Sequence, residues 1–152
     1  MHILERLNDA SRLAERLTRP LEALLLLAIR FYVPWQFFKA GLVKIDDWTS
    51  TLWLFREEYH VPVLPPDVAA VLGAGGELTF PVLLALGLLT RWSALGLSFV
   101  NVMAVVSYSH VLFAEGYEAA LGQHLLWGSL LAVLVVFGGG RASLDAWIAA
   151  RR

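Results

Sequence analysis

Four long apolar stretches constrain this chain more than any other feature of its sequence. They cover residues 21–43, 68–90, 92–110 and 121–137. Each has roughly the 17–25 residues that a helix needs to cross about 30 Å of hydrocarbon. Lipid offers no hydrogen-bond partner to an exposed backbone group, so stretches of this kind predict helices. We therefore expect an all-α, polytopic membrane four-helix bundle whose transmembrane domain covers residues 21–138.

The segments outside these stretches also carry structural signals. Residues 1–20 place apolar side chains at helical spacing opposite charged ones, which predicts an amphipathic helix on the membrane surface. A soluble helix packed against another protein is the alternative. A second stripe at residues 48–59 predicts a short helix in the first loop. Asp67 is placed to cap the second span, and Ser143 to cap a short helix in the tail, residues 139–152.

Composition narrows the class of protein. Only 16% of the residues are charged, against about 25% in an ordinary soluble domain. The net charge of −1 gives no indication of nucleic-acid binding. The chain has no cysteine, which excludes disulfide exchange and thiolate ligation by its own residues.

Basic residues predict the orientation in the membrane. The N-terminal segment holds four arginines, the second loop one and the tail three, whereas the first and third loops together hold only Lys44 and Arg56. The positive-inside rule then places both termini in the cytoplasm and the first and third loops outside. We expect the chain in a bacterial-type inner membrane.

Three polar residues fall deep inside the predicted spans. Arg30 lies nine residues into the first span and Glu77 nine residues into the second, so both are about 14 Å deep. Asn101 falls at a similar depth in the third span. We predict a buried Arg30–Glu77 pair with Asn101 as a third partner. Such a group either fixes only the helix register or forms a proton-relay or headgroup site.

A second polar group is predicted near the outer surface, where it includes three of the four histidines. Neutral imidazoles ligate copper, zinc and haem iron, which makes these histidines candidate metal ligands. Histidines that only hydrogen-bond loops are the alternative. Tyrosine, lysine and histidine in this position could also hold a quinone headgroup by its carbonyls. The candidate metal ligands are His60, His110 and His124, and the candidate cofactor-binding residues are Lys39, Tyr108, His110 and His124.

Three sequence motifs resemble those of one known family. Residues 37–44 read FFKAGLVK and precede Asp47-Trp48; residues 77–91 follow the pattern E-x-x-x-P…LGLLTR; and residues 138–145 read GGGRASLD. In this order, over roughly residues 20–148, they resemble the DoxX family. The resemblance implies a four-helix membrane bundle.

The resemblance also implies certain classes of function. Some DoxX relatives are quinone-linked subunits, as in thiosulfate:quinone oxidoreductase, and others belong to oxidative-stress assemblies. Residues 59–66 resemble a subgroup found beside multinuclear iron enzymes that modify small secreted metal-binding peptides.

The leading hypothesis is a quinone-linked redox or metal-stress membrane subunit that works with a protein partner on the outer side. In it, Glu77 and Arg30 would move protons or polarise a headgroup. The alternatives are a small proton-coupled transporter that uses Glu77, and a non-enzymatic membrane anchor or assembly factor. The sequence does not identify a cofactor, although a quinone is favoured over haem or copper. A homo-oligomer is left open.

Overall fold

The structure, a computed structural model, describes the backbone of residues 2–151 and the side chains of residues 11, 12 and 14–151. These residues form a bundle of helices joined by short connections, in which α1 packs on α3, α3 on α4 and α4 on α6. The predicted all-α membrane bundle is confirmed. The helices are α1 (His2–Asp46), α2 (Trp48–Glu57), α3 (Pro66–Leu86), α4 (Thr90–Ser107), α5 (Ser109–Leu112), α6 (Glu118–Phe137) and α7 (Leu144–Ala149).

Among the described residues, three helices are long and apolar enough to cross a membrane: α1 over Ala14–Asp46, α3 and α6. The third predicted span is helix α4, which lies between α3 and α6. Several polar residues lower its hydropathy, among them Ser93 and Asn101, and both are buried. Helix α4 therefore turns Ser93 and Asn101 towards its neighbours.

The bundle is apolar on its outside as well as inside. Leu84, Leu97, Leu131 and Leu134 are fully buried in the core. The outward-facing side chains are nevertheless large and apolar, and Val102, for example, is 56% exposed. So continuous an apolar surface is unfavourable in water, whereas it is favourable in contact with lipid. Other exposed side chains of this kind are Leu24, Leu25, Phe31, Trp35, Leu125, Val136 and Phe137.

Helix α1 is longer than the predicted first span at both ends. The predicted surface segment is helical and continues into the span without a break, through Pro20. Its location on the membrane surface stays a prediction. At the other end the helix continues to Asp46, so that Lys44 lies on the last turn of a helix and not in a loop.

The structure decides the three predictions about local elements. The short helix in the first loop is confirmed as α2. Ser143 caps α7, because its Oγ accepts a hydrogen bond from the Ala146 N–H at 3.2 Å. The prediction for Asp67 is wrong: this residue lies inside the first turn of α3, which follows Pro65. Its carboxylate instead accepts two hydrogen bonds from Arg56, each 2.8 Å long.

The two ends of the bundle are named here by their short helices. The α2–α5 end comprises residues 47–66 and 108–118. The α7 end comprises residues 86–90 and 138–149.

Candidate functional site

A cavity of about 560 Å³ lies within the bundle, and residues of the α2–α5 end form part of its wall. Small-molecule sites in proteins usually measure roughly 300–1,000 Å³. The walls are mainly apolar and aromatic, with a few polar side chains, which is also typical of such sites. The aromatic lining residues are Phe37, Phe55, Phe80, Phe99 and Trp127, and the polar ones are Lys44, Tyr59, Glu77, Ser107, Tyr108 and His124.

A buried ion pair forms part of the cavity wall. Lys44 Nζ on α1 lies 2.9 Å and 2.7 Å from the two carboxylate oxygens of Glu77 on α3. Glu77 is only 7% exposed, and a carboxylate this deep requires a partner. Gly41 permits the pairing: a Cβ at this position would lie 2.9 Å from Leu78 and 3.1 Å from Glu77 Cβ. The missing side chain therefore lets α1 approach α3 closely.

The predicted Arg30–Glu77 pair is wrong. Arg30 is 1% exposed and lies at the α7 end of the bundle. There its guanidinium donates hydrogen bonds to four backbone carbonyls. The last carbonyls of a helix lack partners within that helix, and the guanidinium offers five N–H groups to satisfy such acceptors. The acceptors are Leu84 (2.9 Å) and Ala85 (2.8 Å) in the last turn of α3, and Gly139 (2.9 Å) and Ala142 (2.6 Å) before α7.

Asp145 closes the same end of the bundle. Its carboxylate accepts hydrogen bonds of 2.8 Å from the Leu89 and Thr90 N–H groups at the start of α4. Its own N–H donates to the Gly87 carbonyl at 2.9 Å. Burial acts to raise the pKa of Asp145, but the bonds from Thr90 and Leu89 and the charge of Arg30 outweigh it and lower the pKa. We call Arg30, residues 84–90 and residues 139–145 the α7 lock.

Gly87 is the backbone position that the α7 lock most needs. Its φ of 68° lies in the left-handed region, which an L side chain rarely adopts. A Cβ at this position would also lie 2.6 Å from Arg30 Cζ and 2.6 Å from Ser143 Cβ. The second and third sequence motifs therefore contact each other at this point in the structure.

Asn101 is not a third partner of Arg30 and Glu77, because it bonds His124 on α6. Asn101 Nδ2 donates to the His124 carbonyl at 2.9 Å, so Oδ1 faces the ring, 2.8 Å from His124 Nδ1. Since Oδ1 only accepts, His124 Nδ1 carries a proton and the neutral ring keeps Nε2 as an acceptor. The cavity wall thus contains an imidazole of defined tautomer.

Trp127, which the sequence analysis did not single out, carries a buried indole N–H in this wall. Its Nε1 has no hydrogen-bond partner among the described residues. The ring lies between Phe37, at 5.4 Å between centroids, and His124, at 5.0 Å. An unsatisfied buried donor costs about 1–3 kcal/mol. A tryptophan within an apolar span normally signals packing, so nothing in the sequence marked it.

The other predicted cofactor-binding residues divide between two locations. Tyr108 lines the cavity, as does Tyr59, which the prediction omitted. Burial, and then the charges of Tyr108 and Glu77, raise the pKa of Tyr59, so its hydroxyl remains a donor at neutral pH. Lys39 does not line the cavity: it is exposed, with its Nζ 6.0 Å from the centre of the Trp35 ring. Lys44 supplies the cation in the wall instead.

The three candidate metal ligands do not form one group. His60 and His110 lie side by side at the α2–α5 end, with their Nδ1 atoms 3.3 Å apart. His124 is bonded to Asn101 in the cavity wall. Within the part of the chain whose side chains are described, no cluster of three or more histidines and carboxylates could hold a metal ion.

Comparison with known proteins gives two matches. The DoxX family model matches residues 25–110, a range that contains Arg30, Lys44, Glu77 and Tyr108. An uncharacterized protein of Haemophilus influenzae is 32% identical over 130 residues, which cover 81% of this chain and 82% of that protein. No solved structure matches the chain.

Proposed function

The chain belongs to the DoxX family of membrane proteins, and we propose that it is a quinone-linked redox subunit that binds a quinone headgroup in its cavity. One observation carries the proposal: the Trp127 indole N–H is buried in an aromatic cavity wall with no acceptor among the described residues. A ligand that brings a hydrogen-bond acceptor on a flat apolar ring would satisfy this donor. Quinones are ligands of this kind.

The polar side chains of the wall suit the chemistry of a quinone. Reduction to the quinol takes up two electrons and two protons, one proton on each carbonyl oxygen. Lys44 and the hydroxyl of Tyr59 are donors that could hold a carbonyl, whereas His124 Nε2 is an acceptor suited to the quinol hydroxyl. Glu77, bonded to Lys44, is a group that could pass protons to the site.

The chain has no cysteine, so its own residues supply no thiol as electron donor, and the electrons must come from a bound cofactor or from a partner. We propose that a protein partner supplies them at the α2–α5 end, where Tyr59 and Tyr108 line the cavity. A role in metal stress rests on the resemblance of residues 59–66 alone.

A test of the proposal is direct binding of decylubiquinone and menadione to the full-length protein in lipid nanodiscs, measured by titration calorimetry. We expect saturable binding of one quinone per chain. Replacement of the indole N–H in Trp127→Phe should weaken binding by about 3–10-fold, the equivalent of one neutral hydrogen bond. Trp92→Phe is the matched control, because Trp92 is 72% exposed and does not line the cavity.

Two results would contradict the proposal: partition of quinone without saturation in the wild type, or equal affinity of Trp127→Phe and the wild type. A second function, proton-coupled transport, is favoured by the buried carboxylate of Glu77 in the wall of an open cavity. Substrate movement driven by a proton gradient and abolished by Glu77→Gln, without quinone binding, would establish transport instead.

A further inference from the structure

The connection between α2 and α3 and the short helix α5 bring two histidines together at the α2–α5 end, next to the cavity-lining residue Tyr108. The His60 N–H donates to the Ser107 carbonyl at 2.9 Å, and this bond fixes the connection against the end of α4. His110 lies on α5, which begins two residues after Ser107. Both imidazoles are exposed, so ions in solution can reach them.

The two rings have the separation of two ligands of one ion. Two nitrogens at about 2.0–2.1 Å from a tetrahedral metal ion lie about 3.3–3.4 Å apart. The Nδ1 atoms of His60 and His110 are 3.3 Å apart, with ring centroids 4.7 Å apart and ring planes inclined at 69°. A hydrogen bond between two neutral tautomers also has this length. The separation of the two nitrogens is therefore compatible with either state.

We propose that His60 and His110 form a two-histidine site for a divalent transition-metal ion. The ligand class follows from the donors, since neutral imidazole suits zinc, copper and nickel. Water fills the remaining coordination positions, because the described residues contain no third histidine or carboxylate in this group. A site with two protein ligands exchanges its ion readily, unlike a closed structural site with four.

Metal binding would act on the cavity wall through aromatic contacts. The Tyr108 ring lies 5.3 Å from His110 and 5.3 Å from Tyr59, and both tyrosines line the cavity. An ion held by His60 and His110 would tie the α2–α3 connection to α5 and keep these rings in place. The inference goes beyond quinone binding and does not depend on it.

The test is titration of the full-length protein with ZnCl₂ in nanodiscs, without quinone and after complete removal of any polyhistidine tag. We expect one ion per chain. His60→Ala and His110→Ala should each weaken binding by at least about tenfold, since each removes one of the two ligands. His2→Ala, which removes a histidine outside the pair, is the matched control and should bind as the wild type does.

Electron paramagnetic resonance of the protein loaded with CuCl₂ identifies the ligands independently. The wild type should show coupling to two imidazole nitrogens, and each single variant to one. Thermal unfolding of all variants without metal shows that they are folded.

Three results would overturn the site: absence of stoichiometric binding to the wild type, full binding by the His60→Ala/His110→Ala double variant, or a loss confined to His2→Ala. The Trp127→Phe variant should still bind zinc. Failure of quinone binding can thus be told apart from failure of the metal site.

Discussion

Two basic side chains of α1 are withdrawn from solvent by different means, Arg30 completely and Lys44 in part. Arg30 is held by four backbone carbonyls at the α7 end, whereas Lys44 is held by the carboxylate of Glu77 in the cavity wall. A guanidinium stays charged at every pH at which proteins remain folded, so Arg30 can fix structure but cannot exchange protons. Of the two buried groups, only the Lys44–Glu77 pair has members able to exchange a proton.

Removal of one member of this pair should be more harmful than removal of both. Lys44→Met leaves the Glu77 carboxylate buried without its partner and should lower the free energy of unfolding by about 3–5 kcal/mol. The Lys44→Met/Glu77→Leu double variant should recover most of this loss, because no charge remains to be desolvated. Unfolding in mixed micelles, followed by circular dichroism, measures both effects.

Lys39→Met is the control for this comparison, because Lys39 is exposed on the same helix and should change stability little. If Lys44→Met proved as stable as the control, the charge of Lys44 would not be what stabilises the buried Glu77 carboxylate.

The sequence predicted which residues would be buried more reliably than it predicted their partners. Counting residues along the spans showed that Arg30, Glu77 and Asn101 would be internal, and all three are buried. Their partners depend on the rotation of each helix and on its end points, neither of which a single sequence defines. Lys44 was assigned to a loop because the predicted span ended one residue before it.

At the scale of elements, the α7 lock shows why a short tail helix is part of the bundle. Helix α7 has only six residues and no buried side chain, so hydrophobic burial does little to hold it. Its first turn instead provides the carboxylate that caps α4, and the segment before it provides two acceptors for Arg30. The closing motif of the sequence is thus bound to the bundle by polar contacts.

Asp145→Asn tests the contribution of this cap. An amide has one acceptor oxygen where the carboxylate has two, so the variant can accept only one of the two hydrogen bonds in the same way. We expect the free energy of unfolding to fall by about 1 kcal/mol, with a range of 0.5–2 kcal/mol, at neutral pH. Thermal unfolding of Asp145→Asn and of the wild type measures the loss. Ala150→Ser, a change at an exposed position after α7, is the control.

The pH dependence of the same variant follows from the lowered pKa of Asp145. A carboxylate whose pKa is depressed by folding contributes its stability above the unfolded pKa, about 3.9, and loses it as the pH falls through the folded value. The stability difference between wild type and Asp145→Asn should therefore shrink below about pH 4. A difference that stayed constant down to pH 3 would show that the carboxylate charge is not involved.

At the scale of the whole molecule, the order of helices places consecutive connections at alternate ends. The α3–α4 turn and α7 share one end, and the α2–α3 and α5–α6 connections share the other. The sequence predicted this alternation from four apolar stretches. It did not predict that the first stretch would join the N-terminal segment in one helix of 45 residues, because Pro20 favours a break there.

The orientation of the bundle in the membrane stays a prediction that labelling can decide. The chain has no cysteine, so Ala114→Cys and Ala150→Cys each introduce a single thiol, at exposed positions near opposite ends. Neither change alters the charge that sets orientation. In intact spheroplasts, an impermeant maleimide should label the thiol at position 114 and leave that at position 150 unreacted until the membrane is permeabilised. The opposite pattern would reverse the assignment of both ends.

The α7 lock has a consequence for the synthesis and membrane insertion of the chain. Arg30 bonds carbonyls of residues that are 109 and 112 positions further along the chain. At about 5–20 residues per second, the newly made α1 waits roughly 5–20 s for these acceptors. Until then only the Leu84 and Ala85 carbonyls of α3 can serve as its partners in the bundle, and its other N–H groups must find water, lipid headgroups or the insertion machinery. The nascent chain therefore passes through a stage in which this charge lacks two of its four final acceptors, and synthesis of residues 139–142 ends that stage.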